Sequence, residues 1–140
     1  MSVDQLKREA CEAIDRMAED LLRVSREIHA HPELAFEEHR AAALLVDTLR
    51  GAGLEVQAGA YGLETAFASE FGSGDACVAV LAEYDALPEI GHACGHNLIA
   101  TAGVGAGLAL ASVADRLPGR VRVLGTPAEE RGCGKELMAR

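Results

Sequence analysis

Ala76-Cys-Val-Ala-Val-Leu-Ala-Glu83 leads through a loop into the small-residue-rich run Asn97–Leu117 and then into Val121-Arg-Val-Leu-Gly125. This succession decides the fold. The first segment is continuously apolar, as expected of a central strand covered on both faces. Asn97–Leu117 has helical length and is closed by Pro118-Gly119, and Val121–Gly125 is a short strand. Strand, loop, helix, strand is the βαβ pattern, so the two strands are expected to lie parallel in one sheet with the helix packed across it. The class is α/β. Within the helix, Gly103, Gly105 and Gly107 do not fit Gly-x-Gly-x-x-Gly, because Leu108 holds the third glycine's place; close helix-to-sheet packing explains them better.

Working outward, Leu6, Ala10, Ile14, Met17, Leu21, Val24 and Ile28 recur in steps of three or four and predict one amphipathic helix over residues 3–31, stopped by Pro32. A second helix is expected from Phe36 to Arg50, with Ala42, Leu45, Val46 and Leu49 inward and Gly51 and Gly53 beyond its end. Leu54–Ala60 and Thr65–Phe71 read as extended, set off by turns at Tyr61-Gly62 and Gly72-Ser73-Gly74. Gly134–Arg140 reads as the opening of a further helix.

At 140 residues the chain has room for about one domain. With 49% hydrophobic and 25% charged residues it is globular in composition rather than disordered. No apolar run approaches the roughly 18 residues of a membrane span, and the N-terminal residues form no apolar signal segment, so the expected compartment is the cytoplasm. Thirteen basic against 22 acidic side chains give a net charge of −9, which argues against nucleic acid or an anionic membrane as partner. Cys11, Cys77, Cys94 and Cys133 form no Cys-x-x-Cys pair, so no disulfide framework is expected. Cys11 and Cys77 fit helix and strand core positions.

Both unusual motifs fall where ligands gather in open α/β sheets, beyond the carboxyl ends of strands. In His92-Ala-Cys94-Gly-His96 alternate residues are a thiolate flanked by imidazoles, a donor set suited to zinc or a neighbouring transition metal. The plain alternative makes Cys94 a small hydrophobe and the histidines loop or capping residues. Glu129-Glu130 after the second strand is either a solvated acidic turn or a divided pair, one carboxylate coordinating and the other handling a proton. Asp85 is either a loop cap or a carboxylate that orients a ligand histidine. His29, His31 and His39 are expected at the surface or in packing.

Together these motifs resemble the aminoacylase-type metallopeptidases, in the amidohydrolase branch that includes auxin-conjugate hydrolases, p-aminobenzoyl-glutamate hydrolase and β-alanyl-lysine-type dipeptidases. Arg26-Glu-Ile-His-Ala-His31-Pro32-Glu33-Leu-Ala-Phe-Glu37-Glu38 is similar to that family's N-terminal signature. Glu83-Tyr-Asp85-Ala-Leu-Pro88 with Gly91-His-Ala-Cys94-Gly-His96-Asn97 resembles its first metal loop, and Gly125-Thr-Pro-Ala-Glu129-Glu130 its second. The resemblance implies a three-layer, zinc-exopeptidase-like catalytic domain with a mixed sheet flanked by helices, of which residues 1–140 would be the N-terminal part. The rest of that domain and a dimerisation or lid domain would lie outside.

It further implies Cys94, His96 and Glu130 as metal ligands, Glu129 as general base and Asp85 as support of the site. The cofactor would be a divalent metal, zinc with manganese or cobalt as alternatives, two ions in a complete enzyme. The substrate would be a small amide, an N-acyl-amino acid or dipeptide, and the intact enzyme a homodimer. Asn97 stands where much of the branch has aspartate, closer to the dipeptidase and p-aminobenzoyl-glutamate groups. Two other readings remain open: a remnant that binds metal weakly without catalysis, and Cys94 as a nucleophile with His92 or His96 as base.

Overall fold

The computed structural model describes residues 2–140. Its elements are α1 (Val3–Ala30), α2 (His39–Gly51), β1 (Gln57–Ala58), β2 (Phe67–Gly72), β3 (Cys77–Ala82), α3 (His96–Ala111), β4 (Arg120–Gly125) and α4 (Gly134–Met138). The sheet order is β1-β2-β4-β3. β2 pairs antiparallel with both β1 and β4. β3 and β4 run parallel, from Cys77↔Arg120 to Ala82↔Gly125. The sheet is therefore mixed and the class α/β, with the expected βαβ unit formed by β3, α3 and β4. No described helix is long and apolar enough to cross a membrane.

Alternation sorts the strands into two faces. Phe67, Ser69, Val121 and Val123 are buried on one face, while Glu70 and Arg122 form an ion pair on the other. The helices supply the covering layer on the buried face. Val24 and Ile28 of α1, Leu45 and Leu49 of α2, and Ala100, Val104 and Leu108 of α3 share one core with Phe67, Tyr84 and Val123. Two of the three expected layers are thus present among the described residues. Asn97 ties α3 to α1, its Nδ2 donating to Ser25 Oγ at 3.0 Å.

The glycines of α3 do pack the helix closely. A Cβ on Gly103 would stand 2.5 Å from the Leu81 carbonyl oxygen, and one on Gly107 would stand 2.4 Å from Val123 Cγ2. Gly105 faces Leu21 of α1 instead. Helix α3 is therefore held near the backbone of β3 and against the Val123 side chain of β4, which fixes the height of its N-terminus over their carboxyl ends.

Several sequence expectations are corrected. β3 is not a central strand covered on both faces. It lies at the edge of the described sheet, with Val78 62% and Leu81 41% exposed, because β4 inserts between it and β2. Cys77 is exposed for the same reason, and Cys11 lies on the solvent side of α1. Of Leu54–Ala60 only Gln57–Ala58 pairs as strand. Helix α2 starts three residues late because Phe36 takes a left-handed φ of 64°. Glu33 then caps the helix from outside, its carboxylate accepting from Arg40 N at 2.9 Å and Ala41 N at 2.8 Å. Helix α3 ends at Ala111, and a short 3-10 turn covers Ala114–Arg116.

Gly103→Ala is expected to destabilise the chain by about 1–3 kcal/mol, since backbone atoms of β3 must move to admit the methyl group. Gly51→Ala, where a Cβ meets nothing within 4 Å, should fall within about 1 kcal/mol of wild type. Urea unfolding of both variants checks this; equal stability of the two would contradict the close helix-to-sheet contact.

Candidate metal centre

Parallel pairing brings the carboxyl ends of β3 and β4 side by side, and the pairing continues one residue further where Thr126 N donates to Ala82 O at 2.8 Å. Beyond these ends the chain presents Glu83, Tyr84 and Asp85 from one strand and Ala128, Glu129 and Glu130 from the other. Helix α3 starts at His96 over the same spot, after Gly95 turns the chain with φ 87°.

Asp85 joins the three segments. It is fully buried. Its backbone carbonyl accepts from His96 Nδ1 at 2.8 Å, and its Oδ1 lies 3.1 Å from the same nitrogen without a hydrogen bond of its own. Its Oδ2 accepts from Glu130 N at 2.9 Å. A proton held on Nδ1 leaves Nε2 as the free lone pair of His96. That nitrogen faces Glu83 Oε2 at 3.4 Å, Glu129 Oε2 at 3.7 Å and Glu130 Oε1 at 3.9 Å.

Two triads of donor atoms result, each with all atoms within 4.8 Å of one another: Cys94, His96 and Glu130, and Glu83, His96 and Glu129. Sulfur, imidazole nitrogen and carboxylate oxygen are the donors that zinc accepts, and three such atoms leave a position for substrate or water. The residues fit a divalent cation on the chemistry of the donor set. Burial first, and the neighbouring Glu130 carboxylate, push the Cys94 thiol above its ordinary value.

All five residues singled out from the sequence, Asp85, Cys94, His96, Glu129 and Glu130, meet here. His92 does not join them. It is buried against His29, ring centroids 6.3 Å apart, with neither ring nitrogen hydrogen-bonded. Burial first, then the nearby His29 and His96, holds its pKa below the ordinary 6.5. His31 and His39 lie at the surface as expected.

Three residues at the site carried no role in the sequence reading. Glu83 belongs to the second triad, and its place at the end of β3 was the available signal. Lys135 of α4 ion-pairs with Glu83 and stands 3.8 Å from Glu129 Oε1. Glu38, in front of α2, reaches the second loop, where its Oε1 accepts from Ala128 N at 2.8 Å and its Oε2 from Thr65 Oγ1 at 2.9 Å. No local pattern announces a contact spanning 90 residues.

Fold and site together describe an α/β unit whose parallel strands end in a cysteine, histidine and carboxylate cluster. Residues 79–140 match the model of peptidase family M20/M25/M40. Over these residues the chain is similar to that family. It is 49% identical to mouse Xaa-Arg dipeptidase over 148 aligned residues, covering 95% of this chain and 34% of the relative. It is 36% identical to a p-aminobenzoyl-glutamate hydrolase polypeptide from Escherichia coli K12, covering 84% of this chain and 28% of the relative. Among solved structures, the Bacillus subtilis YXEP protein, described as a dinuclear metal-binding peptidase of the M20 family, superposes with a TM-score of 0.80 at 27% identity. That match covers 89% of this chain and 39% of that one. The chain spans about a third of the length of the curated relatives it matches.

Glu38 gives the site a pH signature. Burial pushes its carboxyl above the ordinary 4.5, against the hydrogen bonds that favour the anion. A folded-state pKa above the unfolded one means that the folded chain binds the extra proton. The resulting stability is complete below 4.5 and is lost as pH rises through the folded pKa. Urea unfolding across pH should therefore show wild type losing stability relative to Glu38→Gln as pH rises over that interval. A difference that stays flat, or that grows in favour of wild type with rising pH, would contradict the buried carboxylate.

Proposed function

We propose that this chain contributes ligands and the general base to a metal-dependent amidohydrolase or peptidase that cleaves the amide bond of an N-acyl-amino acid or small dipeptide. The observation that carries the reading is the convergence of Cys94, His96 and Glu130 within 4.8 Å, with Glu129 alongside. The M20 relatives support it, including a dipeptidase and an aminobenzoyl-glutamate hydrolase.

Cys94 Sγ, His96 Nε2 and a Glu130 oxygen would hold one divalent cation, zinc by donor type, with manganese or cobalt as alternatives. Glu83 offers a carboxylate oxygen toward a second. A bound cation supplies Lewis acidity to the amide carbonyl and to the attacking water. Glu129, the more solvent-open of the adjacent pair, takes the proton of that water and returns it to the departing amine. Asp85 keeps His96 in the tautomer whose Nε2 faces the cluster and anchors the Glu130 backbone, so that the two carboxylates keep separate directions.

Next to Glu130 opens a cleft of about 470 Å³ bordered by Leu34, Phe36, Leu87, Pro88 and Arg131. Its apolar wall suits a side chain or acyl group of modest size, and its charged lining is Glu37, Glu130 and Arg131. The net charge of −9 disfavours nucleic acid as an alternative occupant.

Zinc titration against a chromophoric chelator tests the ligands. Cys94→Ala and His96→Ala should each weaken binding at least about tenfold, the lower range seen even for residues that only support ligands. Affinity equal to wild type in both variants would remove the assignment. Catalysis is tested in a chain of the relatives' full length. There Glu129→Gln should keep its metal content and lose about 100-fold to 10,000-fold in turnover of acyl-amino acids or dipeptides. Unimpaired turnover would rule out Glu129 as the base.

A further inference from the structure

Glu38 is fully buried, yet among the described residues no basic side chain pairs with it. A carboxylate in that position needs a reason, because burial of an uncompensated charge opposes folding. What it touches supplies one. Ala128, the residue before the Glu129-Glu130 pair, has a left-handed φ of 57° and no solvent exposure. Side chains other than glycine disfavour this conformation, so something outside the turn must hold it. The Ala128 N–H donates to Glu38 Oε1 at 2.8 Å. The opposite oxygen is fixed by Thr65 Oγ1 at 2.9 Å, and the Thr65 carbonyl in turn accepts from the Tyr84 hydroxyl at 2.6 Å. Tyr84 directly precedes Asp85.

The turn is thus bracketed. Asp85 Oδ2 accepts the N–H of Glu130 from one side, and Glu38 Oε1 accepts that of Ala128 from the other, leaving Glu129 between two pinned amides. We infer that Glu38 is a positioning residue, which clamps the Ala128 amide and thereby aims Glu129 and Glu130 at the cation site. This rests on the roles given to those two residues above. The clamp explains why the position is a carboxylate: it accepts two donors from different directions, which no apolar residue of its size can do. A glutamine keeps the decisive half. Its amide oxygen can face Ala128, whose N–H can only donate, while the Thr65 hydroxyl rotates to accept from the amide group.

The test compares wild type with Glu38→Gln, Glu38→Leu, Thr65→Val and Leu45→Ala, the last a core truncation away from the site. Amide hydrogen exchange is read at Ala128, Glu129 and Glu130 without metal, and affinity for Co²⁺ alone is read from the thiolate-to-cobalt absorption of Cys94. Glu38→Leu should exchange at least about tenfold faster at these three amides than at the rest of the sheet, and should bind Co²⁺ at least about tenfold more weakly. Glu38→Gln should stay within about threefold of wild type on both readouts, whereas Leu45→Ala should lose stability with Co²⁺ affinity unchanged. If Glu38→Leu does not fold, Thr65→Val decides, with faster exchange at the same three amides expected. The inference is overturned if exchange at residues 128–130 is unaltered in the folded Glu38→Leu or Thr65→Val chain, or if Glu38→Gln is as impaired as Glu38→Leu. Absence of Co²⁺ binding by wild type would count against the cation site itself, and the exchange arm would still decide the clamp.

Discussion

The parallel pairing of β3 with β4 is the constraint on which the rest of the molecule depends. Two strands that run the same way end at the same edge, so the residues leaving Ala82 and Gly125 emerge as neighbours although they are more than 40 positions apart in the chain. The crossover that parallel strands require is α3, and the glycines that let it lie against the Leu81 backbone also set where its first residue, His96, arrives. Ligand geometry here is therefore a consequence of sheet topology and helix height. The loops supply donor atoms; the strands decide that those atoms meet.

Charge is the second organising theme. His96 Nε2 faces three carboxylates, from Glu83, Glu129 and Glu130, with Lys135 as the nearby compensating cation. Like charges this close repel strongly where solvent is partly excluded. Lys135 offsets one of them through Glu83, and a divalent ion between the donors would offset the others more fully. Behind this cluster the carboxylates of Asp85 and Glu38 are buried without such compensation and instead accept backbone N–H groups. The acidic residues thus divide by depth: those at the surface of the site face His96 Nε2, and those beneath it hold the backbone.

Much of this was legible in the sequence. The 3.6-residue stripe of α1, the inward residues of α2 and the βαβ unit follow from periodicity and punctuation, whereas Asp85, Glu129 and Glu130 had equally plain readings as caps or solvated turns, and it was the family resemblance of their motifs that joined them to Cys94 and His96. The rest depended on tertiary information. An apolar run such as Ala76–Ala82 looks alike whether central or at an edge, and only strand order, with β4 beside β2, separates the two cases. The late start of α2 follows from the left-handed turn at Phe36, after which Glu33 caps the helix from outside, and no helix propensity encodes either. His92 shares the spacing of its motif partners but turns toward His29, because alternate residues of an irregular loop need not share a face. Glu38 and Glu83 stand within recognisable motifs, yet their partners lie on other elements.

The central claim is that the ends of β3 and β4 and the start of α3 build one centre in which a thiolate, an imidazole and a carboxylate share a cation. X-ray absorption at the zinc edge of the loaded 140-residue chain tests it most directly. The account predicts a single Zn–S scatterer at about 2.3 Å together with nitrogen and oxygen scatterers near 2.0–2.2 Å. A shell of nitrogen and oxygen without sulfur, or one with two or more sulfurs, would contradict it.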